Sequence, residues 1–294
     1  MRSPFNYSVL LRYLILLVGL GTRTRLAAET HFFKEFRQSD GLGNLNVECL
    51  TQDHNGFLWI GTQNGLFRHD GRHFVEFGVK DGIPSSYIHS IFESPDGTLW
   101  VGSAQGMAVR KGDRFEAIPN TVKANGFVYT KNGISASPDG KVYFSVGTSL
   151  MVGWKPSGSQ EWKFRPLAPP VADTNIFAVQ ATKDGSVWAG CGSGLCRVVG
   201  KSPEQQSLTL VSSIPGLPSE QWHAMDATKN GDIYLRSETQ LWKVYASGTR
   251  ADNLTGSLAG APYRRAHLAF DRFGDLIATT ETGIARLQDR KSVV

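Results

Sequence analysis

Six short segments of this 294-residue chain read alike. They are D-H-N-G-F-L-W-I-G-T from Asp53, D-G-T-L-W-V-G-S from Asp96, D-G-K-V-Y-F-S-V from Asp139, D-G-S-V-W-A-G-C from Asp184, N-G-D-I-Y-L-R-S from Asn230 and D-R-F-G-D-L-I-A-T from Asp271. Their glycines are Gly56, Gly97, Gly140, Gly185, Gly231 and Gly274, spaced by 41, 43, 45, 46 and 43 residues. One period held six times constrains the fold more than any other feature here. A unit of this length is a propeller blade or a solenoid repeat, because one copy cannot bury its own apolar faces and must stack on the next.

Each unit has the grammar of short antiparallel strands. An apolar strand leads in, such as Val47-Glu48-Cys49-Leu50 or Ile88-His89-Ser90-Ile91. Asp and Gly then turn the chain, the carboxylate reaching the backbone two residues on and the glycine taking a positive φ. The Trp-containing strand follows. A second turn at Gly65, Gly106, Gly194 or Gly283 opens a third strand, and a short outer strand such as 73–77 ends the unit. Glycine supplies 32 of the 294 residues, about 11% against ~7% in ordinary proteins, as many tight turns require. No helical periodicity and no alternation of strands with helices occurs, which excludes a parallel sheet. The expected fold is all-β: a propeller of six four-stranded blades. Trp59, Trp100, Tyr143, Trp188 and Tyr234 share one slot, with Ile277 in the last unit, and are expected to wedge between neighbouring blades.

The sixth unit stops soon after Arg286-Leu287, without an outer strand, whereas Phe32-Phe33-Lys34-Glu35-Phe36 resembles the outer strand Phe74-Val75-Glu76-Phe77. Pairing the two would close the ring and remove its free edges. The alternative is an incomplete seven-bladed ring. Upstream, Arg2 and Arg12 precede the apolar run Tyr13 to Leu20, with Ala27-Ala28 after it. The pattern is that of a secretory signal or an N-terminal anchor over 1–28, leaving 29–294 as the propeller and placing it in the periplasm or outside the cell. That segment holds four of the 31 basic residues and no acid, so 27 basic residues face 26 acidic ones in the remainder. A nucleic-acid binder should keep a basic excess in that remainder, and nothing in this balance argues for one.

The segments F-R-Q-S-D-G-L at 36–42 and T-Q-D-H-N-G-F-L-W-I-G-T-Q-N-G-L-F-R-H-D-G at 51–71, with F-G-V-K-D-G-I-P at 77–84, resemble the two-component regulator propeller repeat. The resemblance extends over about 32–287, most clearly in the first, second and fourth units. It implies the periplasmic sensor of membrane-bound signalling proteins such as hybrid histidine kinases and diguanylate cyclases, several of which sense carbohydrate fragments. It implies a membrane-bound signalling partner, and no kinase or cyclase within this chain.

The repeat alignment also predicts which side chains meet at the channel mouth. Eight residues before each turn glycine stand Glu48, His89, Phe177 and His223; two residues earlier stand Asn46, Tyr87, Asn175, Gln221 and Arg264, with Trp222 and His267 adjacent in sequence. Alternate residues of a strand share a face. Amides, an arginine and flat rings suit a small, polar, hydroxyl-rich ligand, an oligosaccharide among them. Glu48, His89 and His223 have metal-ligating chemistry, but no ligand spacing supports a metal, and no P-loop, G-x-S-x-G or dinucleotide-binding pattern points to a cofactor or catalysis. The expectation is therefore a ligand sensor without cofactor; a secreted interaction scaffold and a propeller lyase are the rival readings. Cys191 and Cys196 flank G-S-G-L and could form a disulfide across the hairpin, or remain two buried thiols. Cys49, on an inner strand, reads as packing.

Overall fold

The computed structural model describes residues 34–118, 133–146, 148–167, 170, 174–211, 214–258, 267–271, 273–280 and 283–287. The chain divides into residues 1–36 and 37–294. The second unit is a six-bladed β-propeller whose sheets are antiparallel meanders.

Blade 1 is β1 (Val47–Gln52), β2 (Leu58–Thr62), β3 (Gly65–His69) and β4 (Phe74–Phe77); blade 2 is β5 (Ile88–Glu93), β6 (Leu99–Ser103), β7 (Gly106–Lys111) and β8 (Arg114–Ala117). Blade 3 is β9 (Ile134–Ala136), β10 (Val142–Val146), β11 (Ser149–Trp154) and β12 (Lys163–Leu167), and blade 4 is β13 (Ile176–Ala181), β14 (Val187–Cys191), β15 (Gly194–Val199) and β16 (Ser207–Leu210). Blade 5 is β17 (Ala224–Ala227), β18 (Ile233–Arg236), β19 (Leu241–Val244) and β20 (Ala251–Asn253); blade 6 is β21 (Leu268–Phe270), β22 (Leu276–Thr280) and β23 (Gly283–Leu287). Blade 6 thus has three strands among the described residues. Of the strand expected to close the ring, residues 32 and 33 lie outside the described residues, and 34–36 carry no strand. The expected leader at 1–28 also lies outside them. No helix among the described residues is long and apolar enough to cross a membrane.

The repeated turn works as its chemistry requires. Its six glycines all have φ between 80° and 88°, the left-handed region that a Cβ disfavours. Asp53, Asp96, Asp184 and Asp271 each accept a hydrogen bond from the backbone N–H two residues on. In blade 1 the same carboxylate also fixes the wedge: Asp53 Oδ2 accepts from Trp59 Nε1 at 2.8 Å.

The wedge slot joins each blade to the next. Trp59 is fully buried with Ile88, Leu99, Val101 and Phe115 of blade 2. Trp100 packs with Val142 and Phe144, Tyr143 with Val179 and Ala189, Trp188 with Met225 and Leu235, and Tyr234 with Leu268 and Ala278. The slot aromatics are thus the mortar of five of the joints, large apolar side chains buried against the next blade. Ile277 holds the slot at the joint between blades 6 and 1. There a cleft of about 340 Å3 remains, lined by Cys49, Leu50, Leu268, Ile277 and Ile284.

Candidate functional site

The third residue of the W-x-G strand decides how the inner strands begin. Gly61 opposes Cys49, Gly102 opposes Ser90, and Gly190 lies between the pairs formed by Ala189 and Cys191. In all three blades the inner strand bulges opposite this glycine. The register steps from Val47 to Cys49, from Ile88 to Ser90 and from Ile176 to Val179. The residue set out of the ladder is Glu48 in blade 1 and His89 in blade 2; Phe177 lies in the bulge of blade 4. A bulge frees one residue from pairing and re-aims its side chain.

The glycine is needed because the neighbouring blade closes in. A Cβ on Gly61 would stand 2.4 Å from Cys49 Sγ and 2.7 Å from Ile88 Cγ2; one on Gly190 would stand 2.4 Å from the Trp222 carbonyl oxygen. Blades 3, 5 and 6 carry Ser145, Arg236 and Thr279 in this position. Among the described residues, their first two strands pair without a register step.

These bulges build a polar and aromatic cluster across blades 1 and 2. Glu48 Oε1 accepts from Gln63 Nε2 at 2.8 Å and from the Tyr87 hydroxyl at 3.2 Å. The Tyr87 and His89 rings stack at 4.2 Å. On the other side Glu48 and His267 line the cleft at the joint with blade 6. A second ring pair spans blades 4 and 5, where Phe177 meets His223 at 4.7 Å. Tyr87, His89, Phe177 and His223 are all half-buried. Burial lowers the pKa of the His89 imidazole, against the opposing pull of the Glu48 charge. Burial likewise lowers that of His223, against Glu238 and Glu220. Both shifts favour the neutral imidazole.

The remaining candidates divide. Asn46 is exposed and its backbone carbonyl accepts from the Gln63 N–H. Asn175 is exposed and its carbonyl accepts from the Gly192 N–H. Gln221 is exposed, and Arg264 lies outside the described residues. Trp222 departs from the expected position: it is 0% exposed and packs with Trp188, Ile214, Met225 and Leu235. Residues 221–223 lie ahead of β17, and packing between blades 4 and 5, not a strand register, buries the indole. Cys191 and Cys196 are disulfide-bonded, with Cα atoms 5.8 Å apart. They are diagonal partners rather than opposed ones, because Cys191 pairs with Gly194 and Cys196 with Ala189.

Gln63 escaped the sequence reasoning, although its place in the T-Q-N-G turn beside the start of β1 was a usable signal. A cleft of about 520 Å3 at the opposite end of the blades also escaped it; Trp154 and Trp162 line it with Asp96 and Asp139. It lies under the connection 155–162, which is longer than its counterparts 70–73 and 112–113. Among the described residues no three His, Cys, Asp or Glu side chains converge as a metal site would require.

Comparison with known proteins bears on this architecture. Residues 41–64 and 82–105 match the family of the two component regulator propeller. The extracellular domain of a hybrid two component system from B. thetaiotaomicron superposes with a TM-score of 0.64 at 18% identity, over 87% of this chain and 35% of that one. The extracellular domain of a one component system from the same organism gives 0.62 at 19% identity, over 84% and 32%. The chain thus spans about a third of the length of these structures. Virginiamycin B lyase from Staphylococcus aureus, as an inactive variant with quinupristin, gives 0.62 at 14% identity, over 84% and 85%. At such identities these likenesses are of fold. No curated protein matches the chain. The lead-in loop, bulged inner strand and wedge strand of blades 1 and 2 are thus two-component regulator propeller repeats, set in a six-bladed ring.

Proposed function

We propose that this chain is an exported ligand-sensing propeller of the two-component regulator type, and that its ligand docks where the inner strands begin. The observation that carries this reading is the Glu48–Gln63–Tyr87–His89 cluster, raised on bulges in the two blades that match the repeat family. A carboxylate and an amide bond hydroxyl groups, and the Tyr87–His89 and Phe177–His223 pairs offer flat faces to the C–H face of a sugar ring. The ligand is accordingly a small hydroxyl-rich molecule of the oligosaccharide class. The likeness to extracellular domains of signalling systems and the apolar run at 13–20 support a location outside the cytoplasm, with a membrane-bound protein reading the bound state.

Calorimetric titration of the purified protein with neutral and uronic-acid oligosaccharides tests the site. At least one should bind, and Tyr87→Ala combined with His223→Ala should weaken it tenfold or more while the protein stays folded. Undiminished affinity in the double variant, or no binding across the panel, refutes the reading. Fusing residues 1–60 to alkaline phosphatase, which is active only once exported, tests the location; an inactive fusion refutes export.

A further inference from the structure

The cleft under the connection 155–162 lies at the opposite end of the blades from the Tyr87–His89 cluster, and three blades build it. Blade 2 supplies Asp96 from its turn, and blade 4 supplies Pro203 and Glu204 from the connection between β15 and β16. Blade 3 supplies Asp139 and Lys141 from its turn, and Trp154, Lys155, Ser157 and Trp162 from the end of β11 onward. The volume of about 520 Å3 falls in the range of small-molecule sites, ~300–1,000 Å3.

The walls are held by contacts of their own. Arg165 of β12 donates to the Pro203 carbonyl from Nε at 3.2 Å and from Nη2 at 3.0 Å, and also to the Gln206 carbonyl, which fixes the blade 4 wall to blade 3. Trp100 of blade 2 meets Trp162 edge-on at 4.8 Å. Lys155 Nζ stands 5.0 Å from the centre of the Trp162 ring, and Lys141 pairs with Asp139. Partial burial pulls the Asp96 and Asp139 pKa values up, but it is outweighed. Hydrogen bonds from Ser94 and Thr98 and the charge of Lys155 leave Asp96 lowered, and Lys141 and Ser137 leave Asp139 lowered. Each is thus an ionised acceptor that feels the charge of a lysine.

We propose that this cleft is a second binding site, and that its guest is a neutral pyranose saccharide. The inference does not rest on the site where the inner strands begin. Three carboxylates, of Asp96, Asp139 and Glu204, face two ammonium groups, so an anion meets net repulsion. A cation would have to part Lys141 from Asp139 or Lys155 from the Trp162 ring. A wholly apolar guest would strip water from the charged groups and give nothing back. A pair of neighbouring hydroxyls leaves the ion pair intact, one donating to the carboxylate and the other accepting from the ammonium group. Trp154 and Trp162, both half-buried, supply the apolar contact that the C–H groups of a sugar ring require.

The readout is the pair of indole N–H resonances of Trp154 and Trp162 in a nitrogen-15 correlation spectrum of the full chain, assigned by their loss in Trp154→Phe and Trp162→Phe. The neutral probes are cellobiose, maltose and lactose. Glucuronate, choline and phenylalanine represent an anion, a cation and a zwitterion. At least one disaccharide should shift an indole resonance saturably, and the three charged probes should need at least tenfold higher concentration. Ser157→Arg, which adds bulk at an exposed lining position, should abolish the response. Asp96→Asn/Asp139→Asn should weaken it at least fivefold; Asn230 already precedes the turn glycine in blade 5, so the turns persist. Unmoved resonances with all three disaccharides, an equal response to a charged probe, or a response that survives Ser157→Arg or the carboxamide pair overturns the proposal. Tyr87→Ala/His223→Ala should leave the indole response unchanged, and its loss there overturns the separateness of the two sites. Calorimetric binding of a saccharide with unmoved indoles overturns this site alone and leaves the one at the inner strands standing.

Discussion

Replacing Gly190 by alanine puts the joint between blades 4 and 5 to a quantitative test. Gly190 has no positive φ, so alanine adds no torsional cost there. The added methyl would stand 2.4 Å from the Trp222 carbonyl oxygen and 3.3 Å from Trp222 Cβ. Relief requires roughly 1 Å of movement between two packed strands, since a carbon and an oxygen rest near 3.4 Å or beyond, and close-packed interiors do not yield so far cheaply. Overpacking of this kind costs ~1–3 kcal/mol. The upper end applies here because the obstacle is backbone and not the tip of a flexible side chain. About 3 kcal/mol corresponds to a fall in Tm of ~6–12 °C for a domain of this size. Gly78→Ala is the control. Gly78 is in extended backbone with nothing within 4 Å of a Cβ, and should change stability by less than ~0.5 kcal/mol. Urea unfolding followed by tryptophan fluorescence measures both, with the slope showing whether the transition remains comparable. If Gly190→Ala unfolds within ~0.5 kcal/mol of the parent, the close approach of the blades does not constrain this position, and the account of the W-x-G glycine fails.

Three further outcomes are expected. Ile277→Phe puts an aromatic into the slot that is aromatic at the other five joints and fills part of the 340 Å3 cleft; it should stabilise the protein by ~0.5–2 kcal/mol, read as a higher urea midpoint. Because burial lowers the His89 and His223 pKa values in the folded state, their contribution to stability is complete above the unfolded pKa of ~6.5. It falls as pH drops below that value, where the unfolded chain binds protons first. The urea midpoint should therefore decline between pH 7.5 and 5.5, and decline less in His89→Gln/His223→Gln; an identical decline refutes the assignment. Removing the Cys191–Cys196 bridge as Cys191→Ser/Cys196→Ser opens a loop with a sequence separation of 5. Chain entropy puts the loss near 2 kcal/mol, measurable as a lowered Tm that reducing agent no longer alters.

The six turns and the wedge slot were legible because each is set by local chemistry. Asp53 and Gly56 make their turn whatever surrounds them, and Trp59 needs only a neighbouring blade to bury it. The two-residue spacing of Tyr87 and His89 was legible too, although the bulge at His89 takes part in how their rings stack. Trp222 is buried among Trp188, Ile214, Met225 and Leu235, which its adjacency to His223 in the sequence does not disclose. The bulges were not legible: nothing in V-E-C-L announces that Glu48 leaves the ladder, and the cause lies across the hairpin in Gly61 and beyond it in Ile88. Gln63 and the Trp154–Trp162 cleft depend on how loops fold over one another, which no period encodes. The closing strand remains a sequence expectation, because residues 32 and 33 lie outside the described residues.

The bulges carry one consequence for how such a surface changes over evolutionary time. Glu48 and His89 stand outside the ladder, so the hydrogen bonds that hold their blades together do not pass through them. Their side chains can be exchanged for others of different charge or shape while the hairpins, the wedges and the close-approach glycines stay as they are. Under the proposed function, recognition and architecture would then fall to different residues of the same strand. If the proposed ligand docks there, drift at these positions would retune specificity blade by blade without risking the ring.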